Sequence, residues 1–269
     1  MKDERYALNT LVYNQSPYKG IPVELKDKFT MDGKIPIRDW YLDGTKDIGS
    51  VGEDVWTDEY IHSHCDRFTV DKIENNLEGE SPYGHEVVVN ILQALKDYEV
   101  SNKRVAVVGS LVPWIEAMLI NLGNDVTTIE YNVPTTKYKN LQCKDYFDYF
   151  ISNEDQFDTI VSFSSIEHSG LGRYGDPLDP DGDIHTVDII EKNLKDEGTF
   201  IWGSPVGWDT LVWNAHRVYG PIRMPILFRN FIKQQWYGTP SEQLFKGSPA
   251  AQINGYQPVV VFKKRNVCE

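Results

Sequence analysis

The chain has 269 residues, with 27 Lys and Arg against 40 Asp and Glu and a formal net charge of −13. That balance demotes nucleic acid as a partner, because its affinity rests on Lys/Arg–phosphate contacts; the basic trio Lys263-Lys264-Arg265 reads instead as the solvated end of a final strand. No segment reaches the ~20 apolar residues of a membrane span, and the charged stretch from Met1 to Arg5 lacks the apolar run of a secretory signal.

The length allows one large domain or two small ones with an ample core. Cys65, Cys143 and Cys268 are an odd set without metal-like spacing, which argues against a disulfide framework and for a reducing, cytoplasmic chain. Residues 1–80 carry turn signals (Ser16-Pro17, Asp32-Gly33, Asp43-Gly44) and scattered aromatics (Trp40, Tyr41, Trp56, Tyr60) with poor periodicity. They are expected to form an N-terminal extension packed on a main domain of residues 81–269, a place where acceptor choice can be set.

Ser81-Pro82 has the order of a cap followed by proline at the first helical position. Val87, Val88, Ile91, Leu92 and Leu95 then continue at helical spacing to about Tyr98. From there strand and helix alternate. Arg104 to Gly109 is a short apolar run suited to a fully buried strand. Pro113 to Leu122 predicts a helix, Asp125 to Glu130 a β-branched strand, Phe157 to Phe163 a strand, Ile184 to Leu194 a helix, and Gly198 to Gly203 and Gln257 to Phe262 two more strands. The expected fold class is α/β, with a mostly parallel central sheet and helices on both faces.

Gly109 ends the first of these strands, where a backbone without Cβ lets a ligand approach, and the next helix begins just beyond. Glu130 closes the second strand about 20 residues on, where an acid can accept both hydroxyls of a ribose. Gly109 is followed by Ser110, Leu111, Val112 and Pro113, so the G-x-G-x-x-G pattern is missing. This counts against a dinucleotide, whose pyrophosphate needs glycines, and leaves a ribose-bearing ligand without phosphate or a plain strand-turn-helix.

Glu167 to Asp183 packs four glycines, two prolines and four aspartates into one turn-rich loop after a strand. Loops at strand ends in α/β sheets usually carry function. Ser164-Ser165-Ile166-Glu167-His168 is similar to the motif after the fourth strand of many class I S-adenosylmethionine (SAM)-dependent methyltransferases. The longer run through Gly170-Leu171-Gly172-Arg173-Tyr174-Gly175-Asp176-Pro177-Leu178-Asp179-Pro180-Asp181-Gly182-Asp183, with Asn214-Ala215-His216-Arg217-Val218-Tyr219, resembles a family of uncharacterised domains first catalogued from nematodes and also found in bacteria. That family is a branch of the methyltransferase-like folds, and the resemblance covers roughly residues 100 to 230.

The resemblance implies a Rossmann-like class I methyltransferase fold and S-adenosylmethionine as cofactor. By position, Gly109 and Ser110 would line the methionine side and Glu130 would hold the ribose, with Tyr131 beside it. Asp145 would face the adenine amino group, and Ser164 and Ser165 would form the floor beneath the sulfonium.

Methyl transfer is a direct displacement, so the protein aligns the acceptor and removes a proton. His168 and His216 are candidate bases, each with an equal claim to a structural role; Asp176 is a third candidate acid/base group. Arg173 and Arg217, with Tyr174, have the chemistry to orient an anionic or polyhydroxyl acceptor. Their arginines are also placed for loop salt bridges to nearby aspartates. Asp176, Asp181 and Asp183 invite a divalent metal, Mg²⁺ or Mn²⁺, against a deprotonating hydroxyl. The Asp179-Pro180-Asp181-Gly182-Asp183 pattern has Ile190 where a calcium loop has its glutamate. The competing and favoured reading is that these acids cap turns and the next helix.

Trp202, Trp208, Trp213, Tyr219, Trp236 and Tyr237 cluster in the C-terminal third. They serve either a carbohydrate site, with Trp208 as a substrate contact, or plain core and lid packing. The expected activity is O-methyl transfer to a hydroxyl of a sugar or glycan. The alternatives are a methyltransferase for another small molecule or a protein, and a non-catalytic Rossmann-like binding module of a larger complex.

Overall fold

A computed structural model describes residues 17–45, 55–77, 81–152 and 156–265. The charged start of the chain and Cys268 lie outside the described residues. Strand β3 (Arg104–Val108) shows how the sheet forms: Val105 and Val107 point to one face, Ala106 and Val108 to the other, and all four are buried. A strand covered on both faces reads as a continuous apolar run because its two-residue period has no wet side.

Seven strands make the central sheet, in the order β11-β12-β8-β7-β3-β4-β6. They are β4 (Asp125–Glu130), β6 (Leu141–Asp145), β7 (Phe157–Phe163), β8 (Leu194–Gly203), β11 (Phe231–Tyr237) and β12 (Val259–Lys264), with β3 central. The pairs β3–β4, β3–β7, β4–β6 and β7–β8 are parallel. Strand β12 is antiparallel to both β8 and β11.

One face packs on helices α2 (Asp58–Arg67), α4 (His85–Asp97) and α5 (Trp114–Asn121), around Ile91, Leu95, Ile115 and Met118. The other packs on α6 (Gly182–Asn193) through Val187 and Ile190, with Phe200, Trp202 and Phe262. The α/β architecture expected from alternating strand and helix is therefore present.

Several boundaries differ. Helix α4 starts at His85, not at Ser81, because Ser81-Pro82-Tyr83-Gly84 closes a turn. Gly84 N–H donates to the Ser81 carbonyl at 3.0 Å, the Ser81 hydroxyl accepts from Tyr83 N–H at 3.1 Å, and Gly84 sits at φ +87°. Strand β8 already begins at Leu194, so the expected helix yields at its last residue to a longer strand.

A second sheet goes beyond the elements the sequence pattern predicts. It joins β1 (Ile37–Trp40), parallel to β9 (Thr210–Asn214), and β10 (His216–Val218), antiparallel to β9. Its assembly buries Leu211 and Trp213 against Phe29 of α1 (Val23–Thr30). Residues 17–45 thus supply a strand that pairs with residues far along the chain. A two-residue pair, β2 (Val55–Trp56) with β5 (Thr135–Thr136), adds a further link. The remaining short helices are α3 (Val70–Glu74), α7 (Met224–Leu227) and α8 (Ser241–Leu244).

Candidate functional site

From β3 the chain moves to β4 on one side and, after β6, returns to β7 on the other. The carboxyl ends of β3 and β7 therefore flank a topological switch point, where open α/β sheets leave a crevice. A cavity of about 570 Å³ opens there, bordered by Gly109 and Ser110 after β3, Glu130 and Tyr131 after β4, and Ser164 and Ser165 after β7.

Gly109 adopts φ +81°, and a Cβ on it would come within 1.8 Å of the Ser165 hydroxyl. No other residue type suits that turn, for both conformational and steric reasons. Ser164 also sits at positive φ, +53°, so the loop leaves β7 through a backbone state that L-residues rarely adopt. The Glu130 carboxylate accepts from Ser110 N–H at 2.5 Å and Tyr131 N–H at 2.9 Å. Burial raises its pKa while those two bonds oppose the rise. Each oxygen keeps a lone pair beyond its backbone bond.

The loop after β7 brings Glu167, His168, Ser169, Arg173, Tyr174 and Asp176 to the same cavity. His168 Nδ1 lies 2.6 Å from the Ala215 carbonyl and must therefore carry the proton, which leaves Nε2 as the basic nitrogen. Burial, helped by the charge of Arg173, pulls the His168 pKa down to about 3. His216, entering from β10, is tied through Nε2 to the Ile253 carbonyl at 2.7 Å, and burial lowers its pKa too.

Glu167 lies in the resemblance motif, yet no sequence pattern marks it as a site residue. It is 1% exposed. Its Oε2 accepts from the Ser204 hydroxyl at 2.7 Å, and Oε1, without a hydrogen-bond partner, lies 3.8 Å from His168 Nε2. Burial pushes its pKa up to about 7, against the opposing bond from Ser204. The signal that could have exposed it is position: an acid directly after an apolar strand, in a turn too short to reach solvent.

Of the residues named from the sequence, Gly109, Ser110, Glu130, Tyr131, Ser164, Ser165, His168, His216, Asp176, Arg173 and Tyr174 border the cavity. Asp145 does not. Its Oδ1 caps the π-helical turn Tyr146–Phe150 by accepting from Phe147 and Asp148 N–H at 2.8 and 2.7 Å. Trp208 lies away from the cavity against Phe245 at 5.8 Å, with its backbone N–H held by Gln252. None of the C-terminal aromatics lines the site; Trp202, Trp213 and Tyr219 are core. The aromatic wall comes instead from Tyr83, Trp114, Tyr131, Tyr146, Phe163 and Tyr174.

The carboxylates of the metal reading already hold other partners. Asp183 is fully buried and receives Arg223 through Nη2 at 2.5 Å and Nε at 2.7 Å, and the Tyr219 hydroxyl at 3.1 Å. Arg217 Nε stands 3.6 Å away, and the charges of both arginines hold the Asp183 pKa down to about 2 against burial. Asp176 accepts from the backbone N–H groups of Gly170, Gly172 and Tyr174, and Asp181 is largely exposed beside Arg223. Among the described residues no group of three His, Cys, Asp or Glu is placed to hold a metal ion.

Arg217 is likewise occupied: it donates to the carbonyls of Ser169, Asp179 and Pro180 and does not reach the cavity. These bonds tie it to the 169–180 loop. Cys65 and Cys143 are free thiols, and no helix among the described residues is long and apolar enough to cross a membrane.

Residues 102–254 match the family model described as Caenorhabditis protein of unknown function, DUF268. The chain belongs to that family. Among curated proteins none matches it. Solved structures that it resembles include Burkholderia thailandensis 1,6-didemethyltoxoflavin-N1-methyltransferase with bound 1,6-didemethyltoxoflavin and S-adenosylhomocysteine, at 14% identity and TM-score 0.50, covering 77% of this chain and 90% of that one. The N-methyltransferase NodS from Bradyrhizobium japonicum WM9, in complex with S-adenosylhomocysteine, is similar at 11% identity and TM-score 0.45, over 78% of this chain and 100% of that one. The first likeness, with the strand order above, establishes the Rossmann-like class I methyltransferase fold.

Proposed function

We propose that this DUF268 chain is a SAM-dependent methyltransferase that methylates a hydroxyl of a sugar or glycan. The observation that carries the reading is the Glu130 carboxylate, held at the tip of β4 beside the Gly109 turn and open to the switch-point cavity. A ribose presents two hydroxyls to such a carboxylate, and the single glycine of the turn suits a ligand without a pyrophosphate. The cavity is within the usual range for small-ligand sites.

S-adenosylmethionine, when bound, supplies an activated methyl group. The chain's own residues bind and orient. Glu130 accepts from ribose hydroxyls, Gly109 and Ser110 admit the ligand close to the backbone, and Tyr131 and Tyr146 offer ring faces beside it. His168 Nε2 and His216 Nδ1 are the ring nitrogens not used by carbonyls, and both border the cavity where an acceptor hydroxyl must lose its proton. Glu167, at about 7, stands next to His168 as a carboxylate that can change protonation near neutral pH. The aromatic wall and the wealth of polar groups favour a polyhydroxyl acceptor.

Calorimetric titration with S-adenosylhomocysteine tests the cofactor half, and methyl transfer to a panel of sugars tests the acceptor half. Micromolar binding is expected; absence of binding sinks the methyltransferase reading.

A further inference from the structure

One arginine borders the cavity, and it makes no ion pair among the described residues. Arg217 and Arg223 both reach Asp183. Arg173, which borders the cavity, reaches no carboxylate among the described residues: its Nη1 donates to the Ala215 carbonyl at 3.1 Å, and its guanidinium stands 4.8 Å from the Tyr174 ring centroid. Its Nε is buried and meets no acceptor. With 40 acidic residues against 27 basic ones, this is no shortage of acids.

The surroundings compensate only in part. His168 and His216 are kept neutral, and Glu167, pushed up to about 7 by burial and drawn down by the Arg173 charge, is only partly ionised near neutral pH. A partly desolvated guanidinium is costly unless an anion or a full set of acceptors faces it. Its position is nonetheless held firmly. The Ala215 carbonyl takes both Arg173 Nη1 and His168 Nδ1. The Arg173 carbonyl accepts from Gly44 N–H at 2.9 Å, and Gly44 lies so close to Tyr174 that a Cβ there would come within 2.6 Å of the ring. The N-terminal segment therefore braces the Arg173-Tyr174 pair. Nη1 is engaged and the buried Nε has no acceptor, so the guanidinium keeps donor capacity that a carboxylate, its usual planar partner, would meet.

We propose that Arg173 receives a carboxylate on the acceptor, so that the sugar methylated at this site is an acidic one, of the uronic acid class. The inference rests on the methyltransferase reading. It places the anion beside His168 and His216, so that docking the carboxylate brings a hydroxyl of the same ring to the candidate bases.

The test is calorimetric titration of the full chain, saturated with S-adenosylhomocysteine, against glucuronate, galacturonate, glucose, galactose and glucose 6-phosphate. At least one uronate is expected to bind more tightly than its neutral counterpart by roughly 10- to 100-fold, as for hydrogen bonds to a charged group. Arg173→Gln should erase that preference and leave the S-adenosylhomocysteine affinity unchanged, and Arg173→Lys should restore part of the preference through charge alone. Uronates binding no better than neutral sugars, or the phosphate preferred to both, overturns the proposal. So does an Arg173→Gln variant that loses S-adenosylhomocysteine itself, since Arg173 would then serve the cofactor's own carboxylate. If the parent protein does not bind S-adenosylhomocysteine at all, it is the methyltransferase reading that fails, a result visible before any sugar is added.

Discussion

Replacing Asp183 by Asn separates a structural ion pair from a metal site. Asp183 is 0% exposed and takes two donors from Arg223, one from Tyr219 and the charge of Arg217. Asparagine keeps the size but removes the charge, which leaves Arg217 facing carbonyls and Arg223 with only carbonyls and the largely exposed Asp181, 3.7 Å away. Removing one partner of a buried pair costs about 3–5 kcal/mol. At roughly 2–4 °C per kcal/mol for a chain of about this size, the melting temperature should fall by about 6–20 °C.

The same pair has a pH signature. The folded-state pKa of Asp183 is held at about 2, below its ordinary 3.8, so its contribution is present above the ordinary value and lost as pH falls through the folded one. That acid-side loss, about 2.5 kcal/mol between pH 5 and 1, should be absent in Asp183→Asn. Urea unfolding at neutral and acidic pH measures both effects, and thermal unfolding with EDTA tests for metal. A substitution costing less than about 1 kcal/mol would refute the ion-pair reasoning. A drop with EDTA matching that of the variant would restore the metal.

Gly109→Ala combines a positive φ with a Cβ 1.8 Å from Ser165 Oγ, so a loss of about 2–5 kcal/mol in urea unfolding is expected; a parent-like stability would mean the turn can relax. Glu130→Ala should weaken S-adenosylhomocysteine by about two orders of magnitude in calorimetry, from two hydrogen bonds to a charged acceptor, and equal affinity would remove Glu130 from the site. Glu116 and Glu167 are each pushed up to about 7 by burial. Their folded pKa exceeds the unfolded one, so stability is full below about 4.5 and falls as pH rises through about 7, by about 3 kcal/mol for each. Glu167→Gln should remove its share of that fall, and an unchanged pH profile would show the carboxyl to be better solvated than its burial implies.

The residues that proved legible in advance are those whose signal is local. Val105 to Val108 and Ile160 to Phe163 declare buried parallel strands by composition alone, because a strand covered on both faces has no polar side to encode. Gly109 and Glu130 follow from strand ends, and the loop from Glu167 to Asp183 was visible through its glycines and acids. Arg173, Tyr174 and His168 came to the cavity with that loop.

What the linear chain could not declare was the partner of each polar group. By sequence Asp183 suits a helix cap first and a metal second; only the approach of Arg217 and Arg223, from beyond β9, makes it one end of a buried ion pair. Asp145 and Trp208 had plausible types at plausible spacings, but the pairing of β6 and the packing of Phe245 turned them elsewhere. Strand β1 finds β9 across about 170 residues of chain, a contact with no local periodicity to announce it. Local pattern thus determined the sheet and the position of its crevice, since these depend on which residues shun water. Tertiary structure decided which acids and arginines face each other and which face the cavity, because a charge is satisfied by whatever the fold brings within a few ångströms of it.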